Sequence, residues 1–172
     1  MMGQPEQRLK LRDGRAVDVR PLERCDRGLL AAAIRRLSDQ SRYFRFASPK
    51  PRMSERELDH LVDVDHRDHE ALLAIDPLTG RGVAVARYIQ IVGEPGVVEL
   101  AVTVADDWQG FGLGSALLAG VMKRAGDEGH STVRASVLAA NGRSIAMLRR
   151  AGFRGRPGTG TLREYELPLC GS

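Results

Sequence analysis

The strongest functional signal in this sequence is the stretch Gln109-Gly110-Phe111-Gly112-Leu113-Gly114-Ser115. It follows an alternating apolar segment at residues 97–104 and precedes residues 113–125, where apolar side chains recur at helical spacing. The three glycines therefore connect a strand to the first turn of a helix. The first N–H groups of a helix have no internal partner, and glycines let a bulky anion approach them closely. The pattern predicts a loop that holds phosphate.

The spacing of the glycines limits which phosphate ligand this loop can hold. A P-loop would end in Gly-Lys-Ser/Thr, and no lysine is present here. A dinucleotide fingerprint, Gly-x-Gly-x-x-Gly, would need its third glycine at position 117, which is Leu117. A Rossmann-type nucleotide site is therefore disfavoured, and tight NADH binding would be the result that favours it again. A plain tight turn before a helix is the simpler alternative.

The predicted element order is strand, two helices, three strands in an antiparallel meander, helix, strand, helix and strand, which is a mixed α/β class. Residues 1–14 are predicted as an N-terminal lead-in, and residues 15–172 as a single domain. Asp26 is a candidate cap for the first helix, residues 41–52 read as a basic loop, and Ser54-Glu55-Arg56-Glu57 is a capping box that starts another helix. Strands are predicted at 16–20, 71–75, 83–91, 97–104, 132–138 and 161–167, and later helices at 113–125 and 141–151.

The motif Gln-x-x-Gly-x-Gly after a strand, Asn141-x-x-Ser144 and Gly152-Phe153 together resemble the GNAT superfamily of N-acetyltransferases. The resemblance implies a mixed, mostly antiparallel twisted sheet with a splayed central strand pair and helices on both faces. It also implies acetyl-CoA as co-substrate and no metal. Asn141 has an alternative role as a helix N-cap. By this resemblance, the residues that bind the cofactor are Val102, Thr103, Val104, Gln109, Gly110, Phe111, Gly112, Leu113, Gly114, Ser115, Asn141 and Ser144.

Glu99 is the candidate general base. It interrupts an apolar strand and shares a face with Val97, Ala101 and Thr103, and such neighbours predict a raised pKa suited to deprotonating an ammonium. A glutamate at this strand position plays that part in many GNAT enzymes. A solvated glutamate on an open sheet face is the alternative. Many GNAT enzymes also place a tyrosine seven residues after the asparagine as general acid, whereas this sequence has Leu148.

The N-terminal half adds a second resemblance. Residues 41–46, the capping-box helix and residues 65–72 are similar to the GNAT domain of bacterial Pat-type protein lysine acetyltransferases. This implies a protein lysine as the acceptor amine, with a small-molecule amine as the alternative. Because Leu148 replaces the usual acid, an acyl-CoA-binding regulatory module with little catalysis is a further alternative.

Composition narrows the remaining function classes. The net charge of +4 suits either a solvated basic surface or an anionic ligand. Only 5% of residues are aromatic and no basic run is interleaved with aromatics, which disfavours nucleic acid. No apolar run approaches the ~20 residues of a membrane helix. Two cysteines, Cys25 and Cys170, form no disulfide framework and predict free thiols in a cytoplasmic protein. The chain is expected to be a monomer or a homodimer, and the sequence does not distinguish between them. His60, His66 and His69 lie within ten residues, but no cysteine or carboxylate spacing supports a metal site.

Overall fold

A computed structural model describes residues 5–47, 53–158 and 160–169. The strands, in chain order, are β1 (Gln7–Lys10), β2 (Ala16–Pro21), β3 (His69–Ile75), β4 (Gly82–Gln90), β5 (Val97–Val104), β6 (Thr132–Leu138), β7 (Arg154–Arg156) and β8 (Leu162–Pro168). The helices are α1 (Arg27–Arg35), α2 (Asp39–Phe46), α3 (Glu55–Val62), α4 (Leu113–Asp127) and α5 (Gly142–Arg150). None of these helices is long and apolar enough to cross a membrane.

The strands form one mixed sheet in the order β1-β2-β3-β4-β5-β6-β8-β7. Every neighbouring pair is antiparallel except β5 and β6, which are parallel. Short turns connect β3, β4 and β5, whereas the parallel step from β5 to β6 requires a crossover, which α4 supplies. The predicted fold is confirmed.

The two faces of the sheet carry separate apolar clusters. Along β5, Val98 and Leu100 are buried and join the cluster that includes Leu117 and Val121 of α4. The other cluster contains Leu30 of α1 together with residues of α3 and the opposite faces of β3 and β4. Alternation along each strand therefore sends one set of side chains to α4 and the other to α1 and α3.

Four local predictions differ from the structure. The segment predicted as a lead-in contributes the edge strand β1, and β7 is a further strand that the sequence analysis did not predict. Residues 39–46, mostly predicted as loop, form α2, while positions 48–52 lie outside the described residues. Asp26 precedes α1, but its side chain makes no capping hydrogen bond to that helix. The capping box of Ser54 and Glu57 is confirmed at the start of α3.

Candidate active site

The parallel pair β5 and β6 is joined over only three residues. Val97, Val98 and Glu99 pair with Thr132, Val133 and Arg134. Beyond Glu99, β5 stays paired with β4 and β6 stays paired with β8, but the two strands no longer pair with each other. The sheet therefore opens into a cleft whose closed end is at Glu99. This is the splayed strand pair that the resemblance to the GNAT superfamily implies.

The glycine loop lies at the open end of this cleft, between the end of β5 and the start of α4. Gly112 is the N-cap of α4 and has φ of 94°, a conformation that favours glycine. A Cβ added at Gly114 would lie 3.3 Å from Met147 Sδ and 3.4 Å from Val104 Cγ2. The glycines thus allow the first turn of α4 to pack against β5 and α5. Its leading N–H groups lie at the mouth of the cleft, and helix N-termini of this kind favour anions.

Gln109 braces this loop with both ends of its side chain. Its Nε2 donates to the carbonyl of Val104 at 3.0 Å and to Ser41 Oγ at 3.2 Å. Its Oε1 accepts from Arg143 Nη1 at 2.6 Å. The side chain therefore connects β5, α2 and α5, and this bracing is an observed role beside the predicted contact with the cofactor.

Asn141 begins α5 across the cleft from the glycine loop. Its Oδ1 accepts from the backbone N–H of Ser144 at 3.1 Å, so the N-cap role is confirmed. No hydrogen bond joins its Nδ2 to any residue in the described ranges, which leaves that donor for a ligand. Leu148, at the position of the usual tyrosine, is buried in the core beside α4.

The remaining predicted cofactor residues divide by the groups they can offer. Val102 and Val104 pack against the core on the α4 side, and Leu113 is fully buried, so these residues can present only backbone atoms to the cleft. Thr103 faces the opposite side, where it lines a pocket with α1 and α2. Ser115 is exposed on the first turn of α4. Cofactor binding by these residues, and by Gly110 and Phe111, stays a prediction.

Glu99 lies at the closed end of the cleft, in the middle of the β4–β5–β6 region. Its Oε1 accepts a hydrogen bond from Ser136 Oγ of β6 at 3.1 Å. The side chain is exposed, so the enclosure by apolar neighbours expected from the sequence is not found. The carboxylate is accessible from solvent, and the hydrogen bond from Ser136 restrains its position.

Two arginines beside the glycine loop were missed by sequence reasoning. Arg12 is exposed, its N–H donates to the carbonyl of Phe111 at 3.3 Å, and its Nε is 3.7 Å from the Cβ position of Gly112. Arg143 lies on the other side, bonded to Gln109. Both can add positive charge near bound phosphates. No local pattern marks Arg12, because it is about a hundred residues from the loop in sequence and reaches it only through the sheet.

The three clustered histidines have separate surroundings. His66 Nδ1 is 3.0 Å from Glu70 Oε1, and the rings of His60 and His69 are 5.7 Å apart. In the described part of the chain, no group of three or more His, Cys, Asp or Glu side chains is placed to hold a metal ion.

A splayed parallel pair, a glycine loop at its mouth and a carboxylate at its closed end define a protein with the GNAT fold. Residues 32–153 match the family model of the acetyltransferase (GNAT) family. The chain belongs to this family, which uses acetyl-CoA. The class that the sequence predicts is thereby confirmed.

Two curated proteins and one solved structure illustrate the relationship. Acetyltransferase PA5475 of Pseudomonas aeruginosa is 41% identical over 110 residues, which cover 63% of this chain and 59% of that protein. Acetyltransferase Pat of Mycolicibacterium smegmatis is 32% identical over 104 residues, which cover 60% of this chain and 31% of that protein. The GNAT domain of S. lividans PAT superposes with a TM-score of 0.87 at 29% identity, covering 95% of this chain and 96% of that domain. The matched region thus spans less than two thirds of either curated relative.

Gly112→Val tests the loop, because a β-branched side chain is strained at φ of 94° and would disturb the leading N–H groups of α4. We expect the Kd for acetyl-CoA to rise about tenfold and the free energy of unfolding to fall by about 1–3 kcal/mol. The measurements are calorimetric titration and urea unfolding.

Gly126→Ala is the matched control: it lies in the same helix with nothing within 4 Å of its Cβ position. It should leave Kd unchanged and stabilise by about 0.5–1 kcal/mol. Equal Kd in both variants would exclude the loop from cofactor binding.

Proposed function

We propose that this protein transfers an acetyl group from acetyl-CoA to a primary amine, with Glu99 as general base. The observation that carries the proposal is the end of β5–β6 pairing at Glu99. It leaves the edge of β5 beyond that residue without a ladder partner on the β6 side. The same cleft opens toward the N-terminus of α4. A pantetheine arm can therefore pair with β5 while its phosphates lie at the helix terminus.

The chemistry follows from these positions. Glu99 accepts a proton from the ammonium of the acceptor, directly or through water, because only the neutral amine can attack. The nitrogen lone pair then attacks the thioester carbonyl carbon, and backbone N–H groups of β5 stabilise the oxyanion. The C–S bond breaks as the amide forms, the nitrogen releases its second proton to solvent, and Glu99 returns the proton that it accepted to solvent. CoA leaves as a thiolate that takes a proton from solvent or from another group, since the leucine at position 148 lies in the core and has no hydroxyl.

The proposed co-substrate is tested by thermal unfolding with acetyl-CoA, NADH or ATP. A ligand that binds only the folded state stabilises it by RT ln(1 + [L]/Kd), about 2.7 kcal/mol at a hundred times Kd. We expect a clear rise in Tm with acetyl-CoA alone. No rise at millimolar acetyl-CoA would overturn the proposal, and a rise with NADH alone would favour a dinucleotide site.

A protein lysine is the proposed acceptor, supported by the matches to Pat proteins. Mass spectrometry of proteins and of small amines incubated with the enzyme and acetyl-CoA distinguishes the two acceptor classes. Acetylated small amines without modified lysines would point to a small-molecule acceptor. Acetyl-CoA binding without any turnover would instead favour a regulatory module. The exposed thiol of Cys25 accords with a cytoplasmic location, which we also propose.

A further inference from the structure

A pocket lies on the face of the sheet opposite α4, adjoining the closed end of the cleft. Ala101 and Thr103 of β5 form part of its floor, and α1 and α2 form its walls. It contains about 490 Å³ of space, including its open mouth. Most of its lining is apolar, but Arg87 of β4 and Arg45 of α2 also face into it.

Arg87 is the unusual member of this lining. It is only 3% exposed and lies between Ala71 and Ala101 on the neighbouring strands, whose small side chains leave space beside the guanidinium. Its Nη1 donates to the carbonyl of Leu61 at 2.8 Å and lies 3.2 Å from His69 Nε2. Burial, and then the positive charge of Arg87, lower the pKa of His69, which favours a neutral ring that accepts from the arginine. The two partners of Arg87, a backbone carbonyl and a neutral imidazole, are therefore both uncharged.

No carboxylate in the described ranges lies within 4 Å of a nitrogen of Arg87 or of Arg45. Burial, and then the charge of Arg45, lower the pKa of Arg87 to about 9, so the group still carries its charge at neutral pH. Burial also lowers the pKa of Arg45, against the opposing effect of the Glu99 charge. A buried guanidinium without an anionic partner is costly to keep. Arg87 is such a group. Arg45 is partly exposed and lies within reach of the Glu99 charge without forming an ion pair with it, and it adds a second positive charge to the pocket. The two charges indicate that a ligand supplies the anion.

We propose that this pocket binds a carboxylate of the substrate through Arg87 and Arg45. The guanidinium fork matches a carboxylate, and bonds between two charged groups are strong where water is excluded. The carboxylate has two possible sources: the far end of a dicarboxylic acyl group, or an acidic group on the amine acceptor. The proposal rests on the proposed function, because Ala101 and Thr103 of the pocket floor lie on the same face of β5 as Glu99, the proposed general base.

The first test compares acyl donors. Succinyl-CoA and butyryl-CoA have four-carbon acyl chains and differ by a carboxylate in place of a methyl group. Their Kd values are measured by calorimetry for the wild type, Arg87→Met, Arg45→Met and, as a matched control, the exposed Arg81→Met. If the acyl group supplies the carboxylate, the wild type and Arg81→Met bind succinyl-CoA at least about tenfold more tightly. The preference disappears in both pocket variants.

The second test compares acceptors with acetyl-CoA as donor. ω-Amino acids of three to six carbons are compared with alkylamines of the same carbon number by kcat/KM. A preference of about tenfold for the amino acids that is lost in Arg87→Met and Arg45→Met assigns the carboxylate to the acceptor. If Arg87→Met does not fold, the preference for ω-amino acids over alkylamines is compared between the wild type and Arg45→Met alone.

The outcomes separate this proposal from the function on which it rests. Acetyl-CoA binding and turnover without a carboxylate preference in either test would overturn the pocket proposal alone. A preference that survives both substitutions would also overturn it. Failure of the wild type to bind acetyl-CoA would contradict the proposed function, and the pocket proposal would fall with it.

Discussion

Glu99→Gln is expected to lower kcat about a hundredfold while leaving the Kd for acetyl-CoA unchanged. The amide has nearly the same shape and can still accept the hydrogen bond from Ser136, but it cannot take a proton from the ammonium. Steady-state kinetics with an amine acceptor measure the first quantity. Calorimetric titration measures the second.

The control for Glu99 is Glu128→Gln, which removes an exposed carboxylate at the end of α4. It should retain full kcat and the same Kd. If Glu99→Gln kept wild-type turnover, Glu99 would be removed from the mechanism. If it lost acetyl-CoA binding as well, its role would be structural, at the point where β5 and β6 separate.

The largest effect on stability is expected from Asp26→Ala. Asp26 and Arg20 are each 2% exposed and form two hydrogen bonds, at 2.6 and 2.7 Å, between carboxylate and guanidinium. Asp26 also accepts from the backbone N–H of Glu23 at 2.8 Å. Removing the carboxylate leaves a buried charge unpaired, so the free energy of unfolding should fall by about 3–5 kcal/mol. Urea denaturation of the variant and the wild type measures this difference.

The matched control is Asp18→Ala, which breaks the Arg8–Asp18 pair at the sheet edge, where the Arg8 side chain is 63% exposed. An exposed pair contributes about 0–1 kcal/mol. Equal effects of the two substitutions would contradict the assignment of the Arg20–Asp26 pair as a buried support. Replacing both buried partners, as in Arg20→Met with Asp26→Leu, should recover most of the loss.

The same pair predicts a pH dependence. Burial favours the neutral form of Asp26, but the hydrogen bonds from Arg20 and Glu23 and the Arg20 charge outweigh it and lower the pKa of Asp26. A lowered pKa gives a stabilisation that is complete above the ordinary value of 3.8 and is lost as the pH falls through the folded-state pKa. The difference between Asp26→Ala and wild type should therefore shrink in acid. A constant difference from pH 7 to pH 2 would contradict this coupling.

Local sequence patterns predicted the elements whose residues interact mainly with their neighbours in the chain. The alternation of β5 placed Glu99 opposite Val98 and Leu100, and the structure has that arrangement. The glycine loop and the start of α4 were predicted from backbone requirements that glycine alone meets. The capping box of α3 was found because its two hydrogen bonds join residues three positions apart.

The failures share a physical cause, which is competition from partners distant in sequence. Asp26 is a residue type that often caps a helix, but its carboxylate accepts hydrogen bonds from Arg20 and from the backbone N–H of Glu23 instead. Helix α2 lies in a basic segment that predicts a loop, yet Asp106 holds its first turn by accepting from Ser38 and Ser41. These bonds span more than sixty residues, so no local pattern could have indicated them.

Local patterns were enough to predict the order of the main elements, the glycine loop at the start of α4 and the strand position of Glu99, because residue spacing and glycine conformation act locally. The point where β5 and β6 separate became visible only in the folded chain, since pairing depends on both neighbours of each strand. It also decided that Arg87 and Arg45 face one pocket without a carboxylate partner in the described ranges. Burial and long-range contacts set the energy of a charge, and these exist only once the chain has folded.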